Sequence, residues 1–285
     1  MSNPPKLTDR RALALHRARA HAAPVTFLQA EAAAQVSERL IEVNKSFTSA
    51  AVVGPMAGFW QNALADLADF SAIDDNETID LQPASLDLLV HALALHWADD
   101  PVGQLVQMRR ALRPDGLMIA VLFGDLTLHE LRSSLASAEV ALRGGLSSRV
   151  APMGELRDLG GLLQRAGFAL PVADRSRTTV SYADMFALIR DLRAMGETNA
   201  LHSRDRRVVS RELFSRAAQV YARSFPADGN RISATFDLVY LTGWAPAADQ
   251  PRPLRPGSAT TRLAEALGTT ELRSGDATVR PGKGN

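Results

Sequence analysis

The sequence predicts an α/β protein with a parallel sheet flanked by helices. Residues 84–124 show, in order, the patterns of a strand, a helix, a turn and a second strand. The apolar run from Leu117 to Phe123 is typical of a strand buried on both faces of a parallel sheet. Strand and helix patterns also alternate along the rest of the chain, and this alternation favours helices packed on the faces of one sheet.

The chain before residue 84 predicts three helices and a short strand. The second helix places Leu28, Ala32, Val36 and Leu40 on one face, at helical spacing. The predicted elements are helices over 8–20 and 26–43, a strand from Ser49 to Val53, a loop over 54–58, a helix from Phe59 to Leu67 and an acidic turn from Ala72 to Leu81.

Within 84–124, Leu86 to Val90 is a short apolar strand and Pro101 to Leu112 is a helix. Val102, Leu105, Val106 and Met108 share one side of that helix. Arg113 to Gly116 form a turn, because proline sets φ at its first corner and glycine permits a positive φ after it.

The second half predicts further helices and two strands. Gly144 and Gly167 end helices there, since glycine is the preferred residue just past a helix C-terminus. The predicted helices cover 125–143, 153–166, 183–195 and 204–223, and the strands run from Val172 to Tyr182 and from Ser233 to Trp244. We therefore expect N-terminal helices over 1–45, an α/β domain over 46–245 with a helical insertion at about 183–225, and a flexible tail over 246–285.

Composition excludes several classes of function. The chain has 285 residues, 46% of them hydrophobic, which suits a globular protein with a sizeable core. A net charge of +1 favours neither nucleic acid nor a membrane surface as partner. Without cysteine there is no disulfide, thiolate metal site or cysteine nucleophile. No apolar run approaches the roughly 20 residues that span a bilayer.

Several motifs resemble one family. The runs ALALHW at 92–97 and LRPDGL at 112–117 resemble class I S-adenosylmethionine (SAM) methyltransferases of the biotin-synthesis and complex I assembly branch. Residues 124–168, 180–201 and 252–260 resemble the family of NADH dehydrogenase complex I assembly factor 5. The runner-up resemblance is to the malonyl carrier-protein methyltransferases, which share only the core and the HW region. The resemblance implies a Rossmann-like sheet with a SAM site.

The resemblance also indicates which residues would hold SAM. Gly54, Gly58, Asp75 and Ala94 match the family's cofactor positions, and Asp75 matches the residue that meets the adenine amino group. However, where the family has an acidic residue at the end of the first strand, this chain has Val52. Valine cannot accept a hydrogen bond from the ammonium group of the methionine moiety of SAM. The alternative for Asp75 is a residue of a solvent-exposed acidic loop without a functional role.

The cofactor-binding half also looks shortened. Between Gly58 and Asp75 we expect one helix at most, because a further helix and strand would need about 20 more residues. The family's second strand, with its acidic ribose acceptor, would then be missing, and the sheet would be one strand short.

Two other features carry candidate chemistry. His96 and Trp97 follow a predicted strand at the edge where ligands bind in α/β sheets, so His96 is a catalytic candidate and Trp97 a stacking surface. A structural role for this pair is the alternative. His91 and His96 are not spaced one helical turn apart, as paired metal ligands on a helix would be, and we expect no metal site.

The basic stretch from Arg204 to Arg223 is either a solvated helix face or a docking surface for an acidic protein.

Two functions from different classes remain. One is an enzyme, a SAM-dependent methyltransferase or an arginine-modifying relative, acting on a protein or carrier-protein substrate. The other, which we favour, is a noncatalytic complex I assembly factor that keeps the fold as a scaffold for a complex I subunit. The N-terminus lacks a signal-peptide core, and its first helix resembles mature family sequence, so we expect a bacterial-type cytoplasmic protein rather than a mitochondrial-matrix one.

Overall fold

The computed structural model describes residues 6–250, of which 6–247 form one compact unit. Most of the predicted tail, 246–285, and the resembling segment 252–260 lie outside the described residues. The described helices are α1 (Arg10–Ala20), α2 (Phe27–Val43), α3 (Ala57–Ala63), α4 (Pro101–Ala111), α5 (His129–Arg143), α6 (Leu156–Ala166), α7 (Met185–Ala194) and α8 (Arg211–Ser224), and a 3₁₀ turn covers Leu95–Trp97. The strands are β1 (Ala50–Val53), β2 (Phe70–Ile73), β3 (Leu86–Ala92), β4 (Leu112–Phe123), β5 (Ala169–Tyr182), β6 (Pro226–Ala227) and β7 (Arg231–Trp244).

The strands form one mixed sheet in the order β2-β1-β3-β4-β7-β5, with β6 paired to β7. The four strands from β1 to β4 are parallel, whereas β7 runs antiparallel to both β4 and β5. This confirms the Rossmann-like α/β class and corrects the expectation of a parallel sheet throughout. In a largely parallel sheet the carboxyl ends of the strands share one edge, where ligands commonly bind.

Helices cover both faces of the sheet and bury two apolar clusters. On one face α2 contributes Leu28, Ala32, Val36 and Leu40, all buried, which confirms the periodicity of that helix. The same cluster takes in side chains of α3, α5, α7 and α8, while α4 and α6 pack on the opposite face. The long insertion between β5 and β7 therefore lies on the face that carries α2.

The main correction concerns the chain between Gly58 and Asp75. It holds a strand as well as a helix: β2 pairs in parallel with β1 over Phe70–Ile73. Periodicity missed β2 because the strand has only four residues and two of its side chains are exposed. The expectation of one helix at most between Gly58 and Asp75 was therefore wrong, and Asp74 directly follows the strand beside β1. Residues 54–85 hold one helix and one strand, without a second helix–strand pair.

Several boundaries also differ. α3 begins two residues before Phe59 and ends four before Leu67. The RPDG turn is an irregularity inside β4, and the positive φ falls on Asp115 rather than on Gly116. α5 begins at His129, so 125–128 precede it, and α6 begins at Leu156. α8 begins only at Arg211, which leaves Arg204 to Arg207 outside the helix predicted for them.

Candidate functional site at the carboxyl edge of the sheet

Helix α1 lies across the carboxyl edge of the parallel strands. Just before it, the backbone N–H groups of Leu7 and Thr8 both donate to Asp99 Oδ1 at 2.8 Å. Asp99 belongs to the loop that follows β3. The N–H of Asp9 bonds the carbonyl of Ala200 at 2.7 Å, and its carboxylate caps the helix by accepting from Ala12. These contacts fasten the start of α1 to the loops at this edge.

Asp75, the predicted adenine acceptor, is held by α1. Its carboxylate accepts from Arg17 Nη1 at 2.8 and 3.0 Å, and Arg10 Nη1 lies 3.6 Å away. Arg10 also donates to the backbone carbonyl of Asp75. Asp75 is only 6% exposed, so these two arginines supply the charge that makes its burial tolerable. The solvated-loop alternative is therefore wrong for Asp75.

The other predicted cofactor residues are packed into the fold. A Cβ on Gly54 would come within 2.6 Å of the carbonyl oxygen of Ala92, so this glycine lets β1 end directly against β3. Gly58 lies in the first turn of α3, and Ala94 is buried at 2% exposure. Val52 is fully buried and offers only an apolar side chain at the acidic position.

The two histidines have different surroundings. His91 is fully buried at the end of β3, and neither ring nitrogen makes a hydrogen bond within residues 6–250. Burial lowers the pKa of His91 to about 4, and the nearby Arg17 and His96 act in the same direction against Asp75. His91 is therefore neutral near pH 7. His96 Nε2 lies 3.2 Å from Glu197 Oε2, and its ring packs edge-on against Phe123 at 5.0 Å.

Glu197 connects His96 to Trp97. Trp97 Nε1 donates to the same oxygen, Oε2, at 2.8 Å. Burial of Glu197 alone would raise its pKa, but His96, Arg17 and Trp97 together hold it below its usual range. Glu197 is therefore an anion in the neutral pH range. The structure thus brings Asp75, His96 and Arg17 close enough to act on the charge of His91, and His96 and Arg17 also act on Glu197.

This arrangement does not fit SAM at two of the three positions that the resemblance implies. The adenine acceptor, Asp75, is engaged by Arg17 and Arg10, and the ammonium acceptor is replaced by Val52. At the third position, that of the ribose acceptor, an acidic residue is present, because the exposed Asp74 follows the strand beside β1. The ribose acceptor expected to be lost therefore has a candidate replacement.

The basic stretch divides into two parts. Arg204 and Arg206 pair with Asp9 at 2.8 and 3.3 Å, and Arg207 pairs with Asp205. These arginines help to hold the segment before α1. The arginines of α8 at 211, 216 and 223 are exposed, and their role as a docking surface stays a prediction.

Across residues 6–250, no group of three or more His, Asp or Glu side chains could hold a metal ion. Within the same residues, no helix is long and apolar enough to cross a membrane.

Sequence reasoning missed Arg17 and Glu197. Arg17 meets Asp75 across 58 positions of sequence, and Glu197 meets His96 across 101. Neither residue belongs to a local motif, and single-sequence patterns carry no signal for pairs at that separation. A buried aspartate and an indole N–H each need a partner, but the sequence does not say which residue provides it.

Comparison with known proteins places these features in a family. A methyltransferase-domain family model matches residues 30–120. The arginine-hydroxylase NDUFAF5 of Mus musculus, a mitochondrial protein, is 31% identical over 271 residues, covering 87% of this chain and 79% of the mouse protein. Its Dictyostelium discoideum counterpart is 40% identical over 193 residues, covering 67% of this chain and 44% of that protein. A malonyl-[acyl-carrier protein] O-methyltransferase of Laribacter hongkongensis is 37% identical over 64% of this chain and 59% of its own length.

Proposed function

Because the chain belongs to the NDUFAF5 family within the SAM-dependent methyltransferase superfamily, we propose that it is a complex I assembly factor that uses the methyltransferase fold as a scaffold for a complex I subunit. The observation that carries the noncatalytic part is the engagement of Asp75 by Arg17 and Arg10. This carboxylate is only 6% exposed and already pairs with two guanidinium groups of its own chain, which argues against its meeting an adenine amino group. The proposed site of action is the cytoplasm of a bacterium.

A second candidate is an active enzyme that modifies an arginine or another group of a protein or carrier-protein substrate. The cluster of His96, Glu197 and Trp97 favours it, because a histidine fixed by a carboxylate is a common arrangement for proton transfer. The mouse relative bears the name arginine-hydroxylase, which agrees with this candidate. The two candidates share a protein partner and differ in whether the chain turns over a cofactor.

Titration with SAM separates the two candidates. If the scaffold proposal is correct, isothermal titration calorimetry on the purified protein gives no binding heat up to millimolar SAM, and SAM does not raise Tm. The physical reason is the missing ammonium acceptor at Val52 together with the ion-paired Asp75. Binding in the micromolar range, which corresponds to about −8 kcal/mol, would overturn the scaffold proposal in favour of the enzyme.

Genetic complementation tests the assembly role. Deleting the gene in its host is expected to lower the amount of assembled complex I on native gels, and a plasmid copy restores it. A His96→Asn variant that accumulates to the wild-type level is expected to restore assembly as well, since a scaffold needs no proton transfer at His96. Failure of folded His96→Asn to restore assembly would favour the enzyme. Normal complex I in the deletion strain would refute the scaffold and any enzyme that acts on a complex I subunit.

A further inference from the structure

A cleft of about 630 Å³ lies between the C-terminal halves of α1 and α7. The two helices approach closely here, since the N–H of Val25 bonds the carbonyl of Ala194 at 3.2 Å. Gly196 also permits the approach, because an added Cβ would lie only 3.2 Å from Cγ of Arg17. The described lining of the cleft includes none of the predicted cofactor residues. The cleft is therefore separate from the site that the resemblance indicates.

Basic side chains line this cleft without an acidic side chain beside them. Arg19 comes from α1, and Arg190 and Arg193 come from α7. All three are exposed, and within residues 6–250 none of them forms an ion pair. The described lining contains neither aspartate nor glutamate. Three guanidinium charges therefore line one cleft with no carboxylate of this chain to balance them.

His16 adds a polar group to the cleft but no charge. Burial lowers the pKa of His16 and Arg19 acts in the same direction, although a bond to the backbone of Thr198 opposes them. His16 is therefore neutral near pH 7. The positive charge of the cleft comes from its arginines, which stay protonated throughout the physiological pH range.

Helix ends explain only part of this charge. Arg19 and Arg193 lie in the last turns of α1 and α7, where the negative end of the helix dipole favours a cation. Arg190 lies outside the last turn, and its spacing of three residues places it beside Arg193 on the helix surface, where like charges repel. Arg193 also lines a neighbouring cavity that holds Glu197 and Asp205, yet it pairs with neither. An anionic guest would remove this repulsion.

We propose that the cleft binds an acidic segment of a protein partner, one with at least two neighbouring aspartate or glutamate side chains. Carboxylates suit guanidinium groups, which bind them through paired hydrogen bonds. The volume accommodates several groups at once, which favours a short stretch of peptide over a single small anion. The inference rests on the proposed function, in which the partner is a protein.

Two other anionic partners fit the cleft less well. Nucleic acid is disfavoured because the described lining has no phenylalanine, tyrosine or tryptophan on which a base could stack, and because the net charge is only +1. A membrane surface is disfavoured because the apolar part of that lining consists of alanines alone, with no large side chain to enter the lipid.

Acidic peptides of fixed shape provide the test. Fluorescently labelled tetraglutamate and its neutral counterpart tetraglutamine are titrated with the full-length protein in buffer without added salt, where screening is weak, and binding is followed by anisotropy. We expect tetraglutamate to bind at least about tenfold more tightly than tetraglutamine. In the variant Arg19→Gln/Arg190→Gln/Arg193→Gln, the affinity for tetraglutamate should fall about tenfold, because three ion pairs are lost.

The matched control removes the same net charge from another helix. Arg211→Gln/Arg216→Gln/Arg223→Gln changes the three exposed arginines of α8 and should keep the wild-type affinity for tetraglutamate. A second variant keeps the proposal testable if the cleft variant fails to fold. Ala22→Glu retains all three cleft arginines and adds a carboxylate at an exposed position of the lining, so it should weaken tetraglutamate binding by competing for them.

Several outcomes would overturn the inference. They are equal affinity for the two peptides, no binding at millimolar tetraglutamate, an equal loss in the cleft and α8 variants, or unchanged binding in the folded cleft variant or in Ala22→Glu. Labelled oligothymidylate and vesicles of phosphatidylglycerol and phosphatidylcholine are titrated as well. If either binds more tightly than tetraglutamate and loses binding in the cleft variant, the cleft is not a peptide site. Peptide binding needs neither SAM nor complex I, so these outcomes are independent of the SAM titration and the complementation test.

Discussion

Replacing Arg17 by methionine is expected to lower the free energy of unfolding by about 3 kcal/mol. The variant keeps most of the aliphatic length of the side chain but removes the guanidinium that lies 2.8 and 3.0 Å from the carboxylate of Asp75. Asp75 remains 6% exposed in the native packing, and Arg10 at 3.6 Å is the weaker of its two partners. Breaking one side of a buried ion pair typically costs about 3–5 kcal/mol, because the other charge stays desolvated.

Urea unfolding monitored by circular dichroism measures this loss. The matched control is Arg11→Met, which removes an exposed arginine from the same helix and should change stability by less than about 0.5 kcal/mol. Adding Asp75→Asn to Arg17→Met should recover part of the loss, because the unpaired charge is then absent. Equal effects of Arg17→Met and Arg11→Met would show that Arg10 alone stabilises the buried charge of Asp75. The ion pair with Arg17 would then no longer explain why Asp75 does not serve as an adenine acceptor.

The elements of the fold were predictable wherever one surface is buried over several turns or strand pairs. α2 presents Leu28, Ala32, Val36 and Leu40 at helical spacing, and the buried run of β4 is apolar throughout Leu117 to Phe123. β2 escaped because a four-residue edge strand with two exposed side chains has too short a pattern. The antiparallel direction of β7 depends on how the insertion between β5 and β7 crosses the sheet, and local periodicity carries no information about that path.

The candidate site was likewise predictable only in part. Motif positions identified Gly54, Asp75 and His96, all of which lie at or beside the carboxyl edge of the sheet. Their chemistry, however, depends on partners far away in sequence: Arg17 neutralises Asp75, and Glu197 fixes His96. An apolar cavity beside α5, α7 and α8 is likewise lined by segments from the 3₁₀ turn to β7, so it forms only after the insertion has folded onto the sheet.

The two retained glycines of the loop after β1 should respond oppositely to alanine. Gly54→Ala is expected to lower the free energy of unfolding by about 2–3 kcal/mol, as overpacking of a buried site does. The added Cβ would meet the carbonyl oxygen of Ala92 at 2.6 Å and its Cβ at 3.1 Å. A carbonyl at the end of a central strand cannot rotate away as a flexible side chain can. The φ of Gly54, +156°, is also unfavourable for alanine.

Gly58→Ala is the matched control in the same loop, and its expected effect has the opposite sign. Gly58 lies inside α3, and the nearest atom to an added Cβ is Gln61 Oε1 at 4.0 Å, so there is room for the methyl group. Alanine in a helix is expected to raise stability by about 0.5–1 kcal/mol, because the unfolded chain loses conformational freedom. Thermal and urea unfolding of both variants measure the difference.

If Gly54→Ala destabilises the protein and Gly58→Ala does not, close packing of β1 against β3 suffices to explain Gly54. The match of Gly54 to a cofactor motif is then no argument for SAM. Equal, small effects on stability would remove that explanation and restore the glycine pair as evidence for a cofactor loop.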